Sequence, residues 1–499
     1  MRRTHASGAG SAIRGNVGTR QGEAWGASSF RHSLDAGCRV DGTACPRRVR
    51  TVLRDRRSGI GHCSAVTPRT STGTRAPTLQ TLERAARDRL AQIDWSQLPE
   101  VRRQVLEALG PVLHGGDAAR LLTVLMRSHP GWDAAHRAVA AEALFGVALW
   151  RRRLAYQAGS EAPGALLTSL LRDVAHLPAH SIRAWTAAEV AEARPPPDDW
   201  PTRFSWPETL VPELEHALGP EAPLFAAACN LPGPVTVRAN RLRLDRDALA
   251  ERLAAEGVTP HTARYAPDAL HLDGRPNVLG LPSHQEGLFE VQDEGSQLAG
   301  GLVEARPGMR VLDLCAGAGG KTLLLAAALR GEGRVDAYDV DREALERLRH
   351  RAERAGAGTT VRVLAAVPEE SYDAVLVDAP CSALGSIRRG PDVRWRTDVR
   401  SFAQWPPIQR GLLETAAARV GAGGRIVYVT CTVRPEENED VVRAFLEAHP
   451  ELEQVEATVP PELRRGAALF TSPHRQGTDG FYGAVLATRG NRRTAPRPG

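Results

Sequence analysis

Lysine is all but missing from this chain. Of its 64 Lys and Arg residues only one, Lys321, is a lysine. A bias of that strength reads as genome composition, so the lysine that survives it marks a candidate for chemistry. Cysteine is scarce too, with Cys38, Cys45 and Cys63 near the start and then Cys229, Cys315, Cys381 and Cys431. No C-x-x-C pair and no histidine at ligand spacing accompanies them, which excludes a zinc module. A reduced, cytoplasmic setting follows, with thiols free to react. Long apolar runs are absent as well, so the sequence predicts neither a secretory signal nor a membrane-spanning segment.

At 499 residues the chain exceeds what one hydrophobic core usually holds, and two or three folded units with tails are expected. Its charge is unevenly placed. Residues 1–77 carry fourteen arginines against four acids, about +10, so with +6 overall the remaining 422 residues come to about −4. That basic segment is rich in Arg, Gly, Ser and Thr, lacks sustained apolar periodicity, and is expected to be disordered. It reads as an electrostatic arm for RNA, a targeting segment, or an upstream extension from a misassigned start codon.

From Thr78 to about Ala193 apolar residues recur at helical spacing, as in Leu79, Leu82, Ala86 and Leu90, in Leu121, Leu122 and Leu125, and in Leu144, Val147 and Leu154. Five or six short helices are predicted, the last pair punctuated by Pro163 and Gly164. The run WRRRL, Trp150 to Leu154, reads as a phosphate contact or, more commonly for such runs, as an exposed helix end. Residues 194–202 form a stiff proline linker. Residues 203–291 read as a small α+β domain with a helix near Glu208–Leu218, a strand at Thr236–Asn240, a helix at Asp245–Glu256 and short strands near Leu270 and Leu288. Arg238, Arg241 and Arg243 at the end of the first strand fit an RNA contact or a charged sheet edge. Over residues 292–488 strands and helices alternate, which predicts an α/β unit with a doubly wound, mostly parallel sheet and function at the carboxyl ends of its strands. Residues 489–499 read as a second disordered tail.

The stretch VLDLCAGAGGKT, Val311 to Thr322, is a strand, a glycine turn and the start of a helix, the build of a nucleotide-cofactor loop. A phosphate-binding loop needs glycine where Cys315 stands. Asp313 and Asp339, at the ends of successive strands, would repel a triphosphate. A carboxylate about twenty residues past the glycines suits a ribose hydroxyl instead. A cationic, hydroxyl-bearing cofactor meets both conditions, and S-adenosylmethionine is expected. A P-loop ATPase, suggested by GGKT and the Walker-B-like DAVLVD, is the weaker reading.

Two thiols close neighbouring strands, Cys381 in DAPC (Asp378 to Cys381) and Cys431 in the pair Thr430–Cys431. A lone free cysteine often merely packs. Two at strand ends facing one crevice, beside Asp378, point to nucleophilic chemistry. Methylating an amine or a hydroxyl needs no covalent nucleophile. Carbon 5 of a pyrimidine does, since a thiolate added to carbon 6 turns the ring into an enamine that can take a methyl group, and an aspartate near N3 and N4 stabilises the adduct. Spacing alone leaves open which thiol attacks.

VLDLCAGAGGKT, DAPCSALGSIRRGPDVRW, VYVTCTVRPEENEDVV, VQDEGSQLAG and the closing DGFYGAVL resemble the motifs of RNA cytosine-C5 methyltransferases, in order, over residues 203–488. Residues 78–193 are similar, more loosely, to the NusB-like domain of the bacterial Sun-type enzyme acting on small-subunit (16S) ribosomal RNA. The resemblance implies a Rossmann-like methyltransferase sheet preceded by an α-helical domain and a small α+β domain, S-adenosyl-L-methionine as cofactor, RNA as partner, and methylation through a covalent cysteine adduct. It assigns Cys431 as nucleophile and Cys381 to release of the methylated RNA. It places Cys315, Ala316, Gly317, Ala318, Gly319, Gly320 and Lys321, with Asp339 and Asp378, on the cofactor, and sets Asp378 and Lys321 beside the target base. A monomer without a metal is expected. The chain departs from the family pattern at Ala318, where proline is usual, at Ser382-Ala383-Leu384-Gly385, where S-G-T-G is usual, and at Ala365, Ala366 and Val367, where a third-strand aspartate is usual. These departures suggest an alternative, a catalytically impaired RNA-binding assembly factor, against which the retention of both thiols, Asp378 and Lys321 counts.

Overall fold

A computed structural model describes residues 77–489. The basic N-terminal tail with Cys38, Cys45 and Cys63, and the C-terminal tail from residue 490, lie outside the described residues.

The described residues open with helices α1 (Leu79–Ala91), α2 (Leu98–Leu113), α3 (Ala118–Ser128), α4 (Ala134–Ala158), α5 (Pro163–Ser169) and α6 (Ala179–Thr186). Their starts are set by capping. Thr78 and Thr81 form a reciprocal capping box on α1, and Asp117 and Asp133 cap α3 and α4. The apolar faces meet in one core that includes Leu90, Trp95, Val101, Leu144, Val147 and Leu170. With 25 residues α4 is long where short helices were predicted, because nothing in its sequence breaks it before Gly159, whose φ of +64° ends it.

The WRRRL run in α4 turns inward. Arg153 is buried on Gln157 and the Asp173 carbonyl, while Arg152 crosses to the Trp206 carbonyl at 2.8 Å and to Glu208. It is a joint between the helical module and the segment after the prolines, which corrects the expectation of an exposed end.

Strands β1 (Val235–Ala239), β2 (Pro260–Thr262), β3 (Ala269–Leu272) and β4 (Phe289–Val291) form an antiparallel sheet in the order β2-β3-β1-β4. The helix Arg246–Ala255 packs Leu249 and Leu253 into its core. Because β1 is an inner strand, Arg238 is neither an edge guard nor an RNA-facing residue. It is buried, and it donates to the Gln292 side chain and, at 2.9 Å, to the Gly320 carbonyl.

The large sheet is built from β5 (Arg310–Asp313), β6 (Arg334–Ala337), β7 (Val361–Val363), β8 (Tyr372–Asp378), β9 (Val420–Thr430), β10 (Leu452–Val455), β11 (Arg464–Arg465), β12 (Ala468–Thr471) and β13 (Phe481–Thr488). Its order is β11-β12-β13-β9-β8-β5-β6-β7, with β10 pairing the far half of β13. The strands from β9 to β7 run parallel, and β13 turns antiparallel against β9. Alternate apolar residues feed two cores, Leu312, Val375 and Ile426 into one and Val311, Leu376 and Val427 into the other, as a sheet covered on both faces requires. The strand order reverses at β5, so the loops leaving β5 and β8 diverge and open a crevice at their carboxyl ends.

Candidate active site

The loop after β5 is shaped by two left-handed glycines, Gly317 at φ +53° and Gly319 at φ +86°. They do different work. A Cβ on Gly319 would lie 2.1 Å from Leu348 Cδ1, so that glycine lets the loop pack on the helix Arg342–Ala355. A Cβ on Gly317 would meet nothing within 4 Å, which leaves its backbone open to a ligand. The Gly317 N–H donates to Asp339 Oδ2 at 2.7 Å, and Asp339 Oδ1 accepts the Asp341 N–H at 2.8 Å. A carboxylate thus occupies the amide that a phosphate-binding loop would offer its anion, which tells against the ATPase reading. The rest of the loop is braced from the small sheet. Arg238 holds the Gly320 carbonyl, and Arg351, paired with Glu290 of β4, donates to the Ala318 carbonyl at 2.5 Å.

Lys321 lies in the first turn of the helix Gly320–Ala328, where the helix dipole disfavours a cation. It is buried, and its ammonium pairs with Asp378 Oδ2 at 2.7 Å, 5.1 Å from the centre of the Phe481 ring. Asp313, at the end of β5, sits beneath this pair. Burial above all pushes its carboxyl up to about 7, and the Thr322 hydroxyl bonds its Oδ2 at 2.7 Å. The Cys315 thiol is raised by burial and by Asp339, Asp313 and Asp378.

Cys381 and Cys431 meet across the ends of β8 and β9, with their sulfurs 3.4 Å apart. Their environments push them in opposite directions. Cys431 is lowered, first by the hydrogen bond with Cys381 and further by Lys321 and the Ser386 hydroxyl. Cys381 is raised well above the ordinary thiol range by that same hydrogen bond, by burial and by the Glu437 carboxylate. Of the two, Cys431 is therefore the thiol more easily ionised, and Cys381 is the one that holds its proton more firmly.

All the site residues expected from the sequence therefore gather at one end of the large sheet. Among the described residues no group of three or more His, Cys, Asp or Glu is placed to hold a metal, and no helix is long and apolar enough to cross a membrane. The structure adds residues that the sequence reading passed over. Val340, 84% exposed beside Asp339, offers an apolar face at the mouth of the crevice. Phe481 lies against Lys321, and Glu437, Asn438 and Gln409 lie under the two thiol loops. Glu437 and Asn438 stand six and seven residues past Cys431, where no feature of the acidic run around them marks them out.

The residues around the loop after β5 suit a cationic, hydroxyl-bearing cofactor. Gly317 presents open backbone, Val340 an apolar surface, and Asp339 a carboxylate, while the charge of Asp378 is balanced by Lys321.

The family of 16S rRNA methyltransferases RsmB/F matches residues 301–487, and the ferredoxin-like domain of RsmF/B-like methyltransferases matches residues 206–279. A probable ribosomal RNA small subunit methyltransferase B of Bacillus subtilis is 33% identical over 309 residues, which cover 58% of this chain and 68% of that protein. The crystal structure of PH0851 superposes with a TM-score of 0.65 at 24% identity, covering 78% of this chain and 99% of that one. NSun6 from Pyrococcus horikoshii, crystallised with SFG, has the same fold, with a TM-score of 0.51 at 19% identity over 56% of this chain and 98% of that one. This chain belongs to the RsmB/F family of 16S rRNA methyltransferases, and S-adenosylmethionine is its cofactor.

Proposed function

We propose that this chain methylates carbon 5 of a cytosine in RNA, specifically small-subunit ribosomal RNA, through a covalent adduct on Cys431. The observation that carries the reading is the thiol pair, with sulfurs 3.4 Å apart at the ends of neighbouring strands, and the lowering of Cys431 against the raising of Cys381 supports it. The Cys431 thiolate forms a bond to carbon 6, and the carbon 5–carbon 6 π pair becomes available at carbon 5. When bound, S-adenosylmethionine supplies the methyl group. Asp378, oriented by Lys321, faces the ring's N3 and N4 and stabilises the adduct. A base takes the carbon 5 proton, the electron pair of that C–H bond restores the double bond, and the carbon 6–sulfur pair returns to Cys431 as thiolate, to which Cys381 donates a hydrogen bond. Asp339 and the loop Cys315–Lys321 hold the cofactor. The helical module, NusB-like in this reading, and the unit after it bind RNA.

The two cysteines should fail differently. Cys431→Ala should abolish methyl transfer and bind RNA only reversibly. Cys381→Ala should accumulate a protein–RNA complex that survives denaturing gel electrophoresis. A trapped complex in Cys431→Ala instead would exchange the roles, and normal turnover in both variants would remove carbon 5 chemistry. Bisulfite sequencing of ribosomal RNA from cells with and without the protein tests the substrate. Unchanged methylation at every small-subunit cytosine would overturn that assignment.

A further inference from the structure

The loops of Cys381 and Cys431 share a buried support that the chemistry above does not use. Glu437 and Asn438 lie between β9 and the helix Glu439–Ala448, and both are 0% exposed. The Asn438 amide reaches both flanks of Cys431. Its Oδ1 accepts the Thr430 hydroxyl at 2.5 Å, and its Nδ2 donates to the Thr432 carbonyl at 3.1 Å. The Glu437 carboxylate reaches the other loop. Its Oε2 accepts the Ser382 N–H at 2.9 Å and the Gln409 amide at 3.2 Å, and the same Gln409 nitrogen donates to the Pro380 carbonyl at 2.9 Å.

The loops are also joined directly, by Ser382 Oγ and Thr432 Oγ1 at 2.7 Å and by the Gly385 N–H on the Cys431 carbonyl at 2.9 Å. Arg434 pairs with Glu437 Oε1 at 3.1 Å, and the Tyr428 hydroxyl donates to the Glu437 carbonyl at 2.6 Å. Burying a carboxylate is costly unless it is paired and hydrogen-bonded, and an apolar side chain often serves stability as well. Glu437 and Asn438 are sealed from solvent, so they act through the loops they hold.

We propose that Glu437 and Asn438 are positioning residues for the reaction, a bracket of two consecutive side chains that keeps the thiols at their spacing, Asn438 through the Cys431 loop and Glu437 through the Cys381 loop. The proposal rests on the thiol chemistry proposed above. The Glu437 charge adds a second effect, since it helps keep the proton on Cys381.

The test uses the full chain carrying Glu437→Gln, Glu437→Ala, Asn438→Asp or Asn438→Ala. Diamide-driven formation of the Cys381–Cys431 disulfide, located by peptide mass mapping, reads thiol spacing independently of RNA, because the sulfurs must close to about 2.05 Å. Its rate should fall about tenfold in the alanine variants, the loss expected for one such hydrogen bond. Glu437→Gln, which keeps an oxygen for the Ser382 N–H but removes the charge, should lose less of the rate than Glu437→Ala. In single-turnover methyl transfer the rate constant should fall roughly ten- to hundredfold, while the KM values for RNA and cofactor stay near those of the parent. If the alanine variants fail to fold, Asn438→Asp carries the test with the same expected loss, since it accepts from Thr430 but cannot donate to Thr432. Unchanged disulfide rates in folded variants, or a loss confined to KM, would overturn the proposal. Slowed disulfide formation in the variants, with no RNA methylation even by the parent, would keep the bracket and overturn the thiol chemistry instead.

Discussion

The two halves of the crevice are held by different means. On the thiol half, the loops after β8 and β9 are tied by the buried side chains of Glu437, Asn438, Gln409 and Thr432 and by the half-buried Ser382. On the cofactor half, the loop after β5 is set by glycine torsions, by backbone bonds such as the Ala316 N–H on the Tyr338 carbonyl at 2.9 Å, and by one carboxylate, Asp339, with Arg238 and Arg351 bracing it from outside. The end of β7 contributes no acid there. Ala365 and Ala366 are exposed, and the Ala365 carbonyl accepts Arg342 at 2.8 Å. The difference follows the tasks. A thiol pair must keep its geometry while a bond to carbon forms and breaks, whereas a cofactor groove must empty and refill at every turnover.

Apart from the thiols themselves, the largest expected effect comes from disturbing the thiol half at Gly385. A Cβ there would lie 2.2 Å from the Gly480 carbonyl oxygen and 2.8 Å from that of Cys431, so the segment after Cys381 must move. A misplacement of about 1 Å costs on the order of a hundredfold in rate. Gly385→Ala should therefore lose about that much methyl transfer while binding cofactor as the parent does. Comparable losses in cofactor affinity, measured by titration calorimetry, would erase the distinction between the halves.

A smaller and opposite pattern is expected on the cofactor side. Asp339→Ala removes an acceptor from the rim and frees the Gly317 amide. A hydrogen bond to a charged group is worth about 1.5–3 kcal/mol, so S-adenosylmethionine should bind roughly ten- to hundredfold more weakly by titration. At saturating cofactor the single-turnover rate should stay near that of the parent. An unaltered affinity would move the cofactor away from Asp339.

Much of the site could be read from the sequence because strand ends announce themselves. Asp313, Asp339, Asp378, Cys381 and Cys431 each follow an apolar run, and the parallel sheet sends those ends the same way. The distance between the thiols could not be read, since it depends on β8 lying beside β9 with Asp378 opposite Val429. Arg153 and Arg238 looked like surface charge for a related reason. A guanidinium is buried only where remote partners meet it, here Glu83 and the Asp173 carbonyl for Arg153, and Gln292 and the Gly320 carbonyl for Arg238. Glu437 and Asn438 were hidden inside the acidic run PEENED, which reads as a solvated helix start. Asp440 in that run stays partly exposed and pairs with Arg443, whereas Glu437 and Asn438 turn back under the thiol loops.

The smallest effect concerns Asp313, which lies beneath the join of the two halves. It is 1% exposed, its Oδ1 has no partner, and burial raises its carboxyl to about 7. An acid whose folded pKa exceeds its unfolded value of about 3.9 holds its proton more tightly in the folded state. Its contribution to stability is therefore fully present below about pH 4 and is lost progressively as pH rises toward 7. Asp313→Asn cannot ionise, so in the absence of cofactor it should melt above the parent at pH 8, and the gap should narrow toward pH 5. One pKa unit corresponds to about 1.4 kcal/mol, which limits the gap to a few kcal/mol, read as a shift of several degrees in melting temperature. A cationic cofactor relieves an ionised carboxylate, so saturating S-adenosylmethionine should shrink the gap at pH 8. A gap that is constant from pH 5 to pH 8 would mean that Asp313 does not titrate there, and the negative charge of the cofactor half would then come from Asp339 and Asp378 alone.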